Sequence, residues 1–183
     1  MYNFRHNLQI GFHGCDESVR DILITLPHQV KKSQKPYDWL GNGFYVWENN
    51  LLRAKRWAED KFKRNEIEKP SVVGVIYTLS NCLDFTDSVF IDSIEQHFYQ
   101  MRRDFIDLKI ELPINEQVQN DLHQDKLIRR LDCSVIEYYH FKIASESHFQ
   151  RISTGFSSIS NFDTVRGIFT EGGPAFPGAG FHK

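Results

Sequence analysis

Hydrophobic and polar positions change period several times along this chain, and each change marks an element. Leu8-Gln9-Ile10-Gly11-Phe12-His13 alternates apolar and polar and stops at Gly14, which predicts a strand running into a tight turn. Asp16 precedes Glu17 to Leu23, where Val19, Ile22 and Leu23 have helical spacing, so an acid-capped short helix follows. Pro27 to Pro36 is basic and polar and reads as a loop, and Gly43-Phe44-Tyr45-Val46-Trp47 reads as a strand. Asn49 reads as the N-cap of a helix reaching Lys63, with an apolar stripe of Leu51, Leu52, Ala54, Trp57, Ala58 and Phe62, and Pro70 closes that region.

Val72 to Tyr77 is a strong strand pattern and Cys82 to Phe85 a short one. From Asp87 to Lys109, Phe90, Ile91, Ile94, Phe98, Met101, Phe105 and Leu108 recur near helical spacing, and Pro113 breaks the pattern. Leu122 to Ser145 predicts one or two helices, Ser153 to Asn161 a loop, Phe162 to Phe169 a strand, and Gly172 to Gly180 a turn-rich tail. Strands scattered among helices without regular βαβ alternation indicate an α+β fold in one domain spanning 1–183.

Composition adds little until aromatics are counted. They make up 14% of the chain, including 15 Phe, enough to fill a core and leave rings for a flat ligand. A net charge of -2 gives no whole-protein nucleic-acid signal, although Arg53 to Lys69 carries seven Lys or Arg against four Asp or Glu. That run reads as a solvated helix face, with contact to an anionic ligand as the alternative. Cys15, Cys82 and Cys133 lack zinc-ligand spacing, so no metal is expected, and they read as reduced thiols of a cytoplasmic protein. Met1 to Ile10 has no signal-peptide pattern, and no apolar run approaches ~18 residues, so no membrane contact is expected.

Several side chains could carry chemistry. His13-Gly14 ends a strand, where glycine lets backbone groups approach a ligand and the imidazole can bond a hydroxyl. Gly41-Asn42-Gly43 is a turn, neither a dinucleotide fingerprint nor a Walker A loop. Asp132, Glu137, Tyr138, Tyr139 and His140 resemble a catalytic cluster, yet helical spacing spreads them around a packed helix. Cys133 has no His at a spacing meaningful for a nucleophile, and His97 edges a helix stripe.

Taken together, His13-Gly14, then Leu40-Gly41-Asn42-Gly43-Phe44-Tyr45, then Ala54 with Trp57-Ala58 resemble the ADP-ribosyltransferase (ART) fold. The similarity is to its His-Tyr-Glu branch, shared by diphtheria-type toxins and poly(ADP-ribose) polymerases, and more closely to small bacterial ART-like domains of unknown function. Asp163-Thr164-Val165-Arg166-Gly167-Ile168-Phe169, followed by Glu171-Gly172, resembles a late segment of the same bacterial group. Together these segments cover about a third of the chain.

The resemblance implies two small antiparallel or mixed sheets forming an NAD cleft, with helices around it. NAD would be the substrate of mono-ADP-ribosyl transfer to a protein or nucleic acid. His13 would bond the adenosine-side ribose, Gly14 backbone groups the nicotinamide amide, and Tyr45 and Trp57 would flank the nicotinamide ring. Arg53 stands where the family often has a small hydroxyl residue, and it could pair with an NAD phosphate. The catalytic carboxylate would be Glu171, or would lie on a last strand beginning where this chain stops. The resemblance further implies a bacterial toxin of a toxin–antitoxin or anti-phage system, with an antitoxin protein as partner. NAD hydrolysis on the same fold, and a non-catalytic ART-like nucleotide- or partner-binding module, are the alternatives.

Overall fold

Strand β1 (Phe4–Asp16) does not turn at Gly14 but continues two residues further, to the point where Asp16 caps helix α1 (Glu17–Thr25). The computed structural model describes residues 4–117 and 128–168, and for residues 4–6 the backbone alone. One Asp16 carboxylate oxygen accepts from the Ser18 backbone and hydroxyl, and the other accepts from the backbone N–H groups of Glu68 and Lys69. Those four bonds hold the Asp16 carboxyl far below its ordinary range.

After a 3-10 turn at Pro27–Gln29, the expected strand over Gly43 to Trp47 is reduced. Gly43 makes only a single bridge to Ser33, and pairing resumes in β2 (Trp47–Glu48), antiparallel to β1 with Phe12 opposite Trp47 and Gly11 opposite Glu48. Asn49 then takes a left-handed φ of 52°, which asparagine tolerates, and ends the strand. Its neighbour Asn50 therefore caps helix α2 (Leu51–Lys63), accepting from Arg53 N–H. The face that α2 buries is small: Ala54 and Ala58 are covered, while Leu51, Leu52 and Phe62 of the expected apolar stripe are exposed.

Pro70 opens an element rather than closing one. The two strands expected at Val72 to Tyr77 and Cys82 to Phe85 are one continuous strand, β3 (Pro70–Asp84), which passes through a left-handed Ser80. Helix α3 (Ser88–Asp107) follows, capped by Asp87. Strands β4 (Asn115–Glu116) and β5 (Ile128–Arg129) form a two-stranded antiparallel sheet that the hydrophobic pattern did not announce. Helix α4 (Arg130–Thr154) is a single helix nine residues longer than expected at its end, because nothing breaks it before the left-handed Gly155. Strand β6 (Thr164–Arg166) pairs in parallel with Cys82 to Asp84, so hydrogen-bonded neighbours run β2-β1-β3-β6. The fold is α+β, with a mixed sheet and a small second sheet.

The residues group into two compact units. One comprises Arg5–Ser33 and Gly43–Leu79; the other comprises Gln34–Asn42 and the described residues from Ser80 onward. The second unit holds the main core, in which Phe90, Ile94, Phe98 and Met101 of α3 meet Leu131, Val135, Ile136 and Tyr139 of α4 and Leu83 of β3. Asp132 is fully buried there, paired with buried Arg129 at 3.4 Å and accepting from Asn115 Nδ2 at 2.7 Å. Among the described residues no helix is long and apolar enough to cross a membrane.

In the first unit the packing turns on Gly14. A β-carbon placed there would collide with the Ala54 carbonyl oxygen and come within 3.2 Å of Ala58 N, so β1 and α2 touch backbone to backbone. Gly14→Ala is expected to destabilise the protein by about 1–3 kcal/mol, the usual cost of overpacking. A thermal melt checks this; an unchanged Tm would contradict the packing.

Candidate functional site

Side chains alternate across a strand, so the contact of Gly14 with α2 fixes the outlook of its neighbour. Gly14 faces α2, and His13 faces the other side of β1. There His13 Nδ1 lies 2.7 Å from the Tyr45 carbonyl oxygen, and its ring lies 4.5 Å from that of Phe44. A carbonyl only accepts, so Nδ1 carries the proton and Nε2 keeps a lone pair. Burial lowers the His13 pKa, opposed by the Tyr45 bond and reinforced by the charge of Lys61, so the neutral ring is favoured. Two residues back on the same face, a β-carbon on Gly11 would meet Val46 and Tyr77 at 2.8–2.9 Å, so its absence lets both close over the strand beside His13.

The α2 side of β1 has a different character. Trp47, opposite Phe12, meets Trp57 edge-on at 6.4 Å between ring centroids. Arg53 lies 4.7 Å over Trp47 and 5.9 Å from Trp57. Lys61 and Arg64 also lie against Trp57, at 5.9 and 5.1 Å. Lys61 Nζ additionally donates to the Gly14 carbonyl oxygen at 3.3 Å, tying the helix to the strand. His13 and Trp57 thus lie on opposite faces of β1.

The glycine turn belongs partly to the second unit. Gly41 has a φ of 83°, and a β-carbon there would come within 2.8 Å of Glu137 Oε1. That oxygen accepts from the Asn42 backbone N–H at 2.7 Å. Trp39 and Leu40 sit over Gly167, where a β-carbon would lie 2.7 and 3.1 Å from them. The early and late segments that carry the ART resemblance therefore meet at Leu40 and Gly167. Arg166, from the late segment, holds buried Asp84 at 3.3 Å. Burial pushes Asp84 up, but bonds from Thr86 and Arg166 outweigh it and bring its pKa below the ordinary value.

The remaining candidates fall as follows. Burial and the carboxylates of Glu137, Asp38 and Asp132 push the Cys133 thiol up to about 11, the opposite of an activated nucleophile. Tyr138 donates to Asp104, Tyr139 bonds Ser93 and stacks on His97 at 3.9 Å, and Asp132 is buried with Arg129, so this set is helix packing, as its spacing implied. Glu171 lies outside the described residues. Among the described residues no group of three or more His, Cys, Asp or Glu side chains is placed to hold a metal ion.

Four residues have contacts that the sequence did not indicate. Phe44 and Trp47 looked like ordinary strand aromatics. Lys61 is seven residues after Ala54 on the same helical face, a spacing that could have flagged it. Glu137 is 95 residues from Asn42, and nothing local points to the pair.

The lowered His13 pKa has a sign that can be checked. The unfolded chain takes up this proton near pH 6.5 while the folded chain resists it, so stability is complete above that pH and falls as pH drops below it. His13→Asn, which keeps an N–H donor toward Tyr45, should flatten the decline between neutral pH and pH 5 in urea-unfolding midpoints; parallel declines for both proteins would refute the assignment. Compared with known protein families, curated proteins and solved structures, the chain matches none.

Proposed function

We propose that this chain binds NAD on the His13 face of β1 and transfers its ADP-ribose to a macromolecular acceptor. The observation that carries the reading is the neutral His13, with Nδ1–H committed to the Tyr45 carbonyl. Its Nε2 is then an acceptor suited to a ribose hydroxyl, the role that the resemblance to ART domains gives this residue. A protonated ring would lack that acceptor.

In this reading Tyr45 stacks on the nicotinamide ring, with Phe44 as its neighbour against His13. Trp57, ringed by cations on the α2 side, is not needed for the clamp. The reaction breaks the bond between ribose C1′ and the nicotinamide nitrogen, and the electron pair leaves with nicotinamide. The acceptor's lone pair forms the new bond at C1′ and the acceptor gives up a proton. Positive charge develops on the ribose as in glycoside hydrolysis, and a carboxylate stabilises it. Glu171 is assigned that role on the resemblance alone. The same resemblance supports a bacterial toxin acting in the cytoplasm, in a toxin–antitoxin or anti-phage setting, with an antitoxin protein as partner.

Calorimetric titration with NAD tests the binding step. Wild-type protein should bind, and Tyr45→Ala should weaken binding by roughly tenfold, the order expected from one lost ring–ring contact. Absence of NAD binding would defeat the proposal. With labelled NAD, label should appear on macromolecules in an extract; label found entirely as free ADP-ribose would make the protein a hydrolase instead.

A further inference from the structure

We infer that the α2 side of β1 is a binding surface for single-stranded nucleic acid, with Trp47 and Trp57 as stacking platforms and Arg53, Lys61 and Arg64 as phosphate contacts. The inference is independent of the NAD reading, since these side chains lie across β1 from His13.

Three observations carry it. The first is charge: from Arg53 to Arg64 the chain has six Lys or Arg against Glu59 and Asp60. This is a local excess in a protein whose net charge is -2, so it is a placed feature and not a reflection of overall composition. The second is arrangement. Arg53 lies between two indoles, and Arg53, Lys61 and Arg64 all stand within 6 Å of the Trp57 ring centroid. Three cations gathered around one indole place phosphate donors beside a stacking surface. The third is the pairing of the two indoles themselves, 6.4 Å apart and half-buried on one surface. Cations interleaved with aromatic rings suit an unpaired strand, whose bases stack on the rings while its backbone follows the charges.

The present contacts are exchangeable. Cation–π contacts at a partly exposed site are weak, whereas a guanidinium forms two parallel charge-assisted bonds to a phosphate. Arg53 and Arg64 can therefore leave the ring faces for phosphates and open those faces to bases. Arg64 is also bridged by Glu66 at 2.6 Å, a surface pair that salt and a competing phosphate both weaken. An acidic protein would match the cations but make no use of the paired indoles, so a nucleic acid is the better fit.

Fluorescence anisotropy of the full chain with a labelled mixed-sequence oligonucleotide of about 20 nucleotides tests this, alongside its duplex and polyglutamate. Binding should quench tryptophan emission and weaken with salt at a log–log slope of about -2, corresponding to three phosphates on a single strand. The double variant Arg53→Glu/Arg64→Glu should lose at least roughly tenfold in affinity and about 1.4 of that slope. Trp57→Phe should retain binding and Trp57→Ala lose it, with far-UV circular dichroism confirming that each variant is folded. The inference is overturned by no binding at low salt, by equal affinity of wild type and the double variant, or by duplex bound as tightly without quenching. Polyglutamate bound as tightly as the oligonucleotide would also overturn it and point to an acidic protein.

Discussion

The backbone contact between Gly14 and the Ala54–Ala58 turn of α2 is the constraint on which the first unit depends. Only glycine fits on the strand, and only small residues fit on the helix. With that contact made, strand alternation leaves no choice about the neighbours: His13 must face away from α2, and Phe12 and Trp47 must share a side with it. Lys61 reinforces the contact through the Gly14 carbonyl, and its charge helps keep His13 neutral across the strand. One close approach thus sets which way the side chains on each face of the strand point.

The two surfaces have opposite chemistry. Around His13 a neutral ring, a phenylalanine and a backbone carbonyl form a weakly charged setting in which a hydrogen-bond acceptor is held in a fixed orientation. On the α2 side the indoles are surrounded by positive charge. In the second unit, ion pairs on buried carboxylates do the positioning: Asp132 with buried Arg129 at the start of α4, and Asp84 with part-exposed Arg166 where β3 meets β6. A pair as deeply covered as Asp132–Arg129 is strongly destabilising to break, which suits it to fixing an element end. Glu137 then reaches from α4 to the Asn42 amide and holds the glycine turn as part of that unit.

Much of the architecture was legible in local pattern. The alternation from Leu8, the acid before α1, and the stripe from Phe90 to Met101 each report a force acting within a few residues. Gly14 was legible as important but not in its role. A glycine at the end of an alternating run looks like a turn unless one knows that a helix backbone will press on it. The same holds for β3: Pro70 and the polar stretch near Ser80 looked like punctuation, yet pairing on both sides carries the strand through. The apolar stripe of α2 misled because Leu51, Leu52 and Phe62 have the right spacing but the helix buries only its alanines. Trp57 was read beside His13 from sequence order alone; that α2 packs on the Gly14 face of β1, opposite His13, is a tertiary fact.

Assigning NAD to the His13 face and not to the Trp57 face is the central claim, and the imidazole reports on it directly. A long-range proton–nitrogen NMR spectrum of the histidine rings, followed during NAD titration, distinguishes the two nitrogens of His13. On NAD addition the His13 Nε2 resonance should move while Nδ1 keeps its proton and the Trp57 indole resonance stays in place. Movement of the Trp57 indole with both His13 nitrogens unchanged would contradict that assignment.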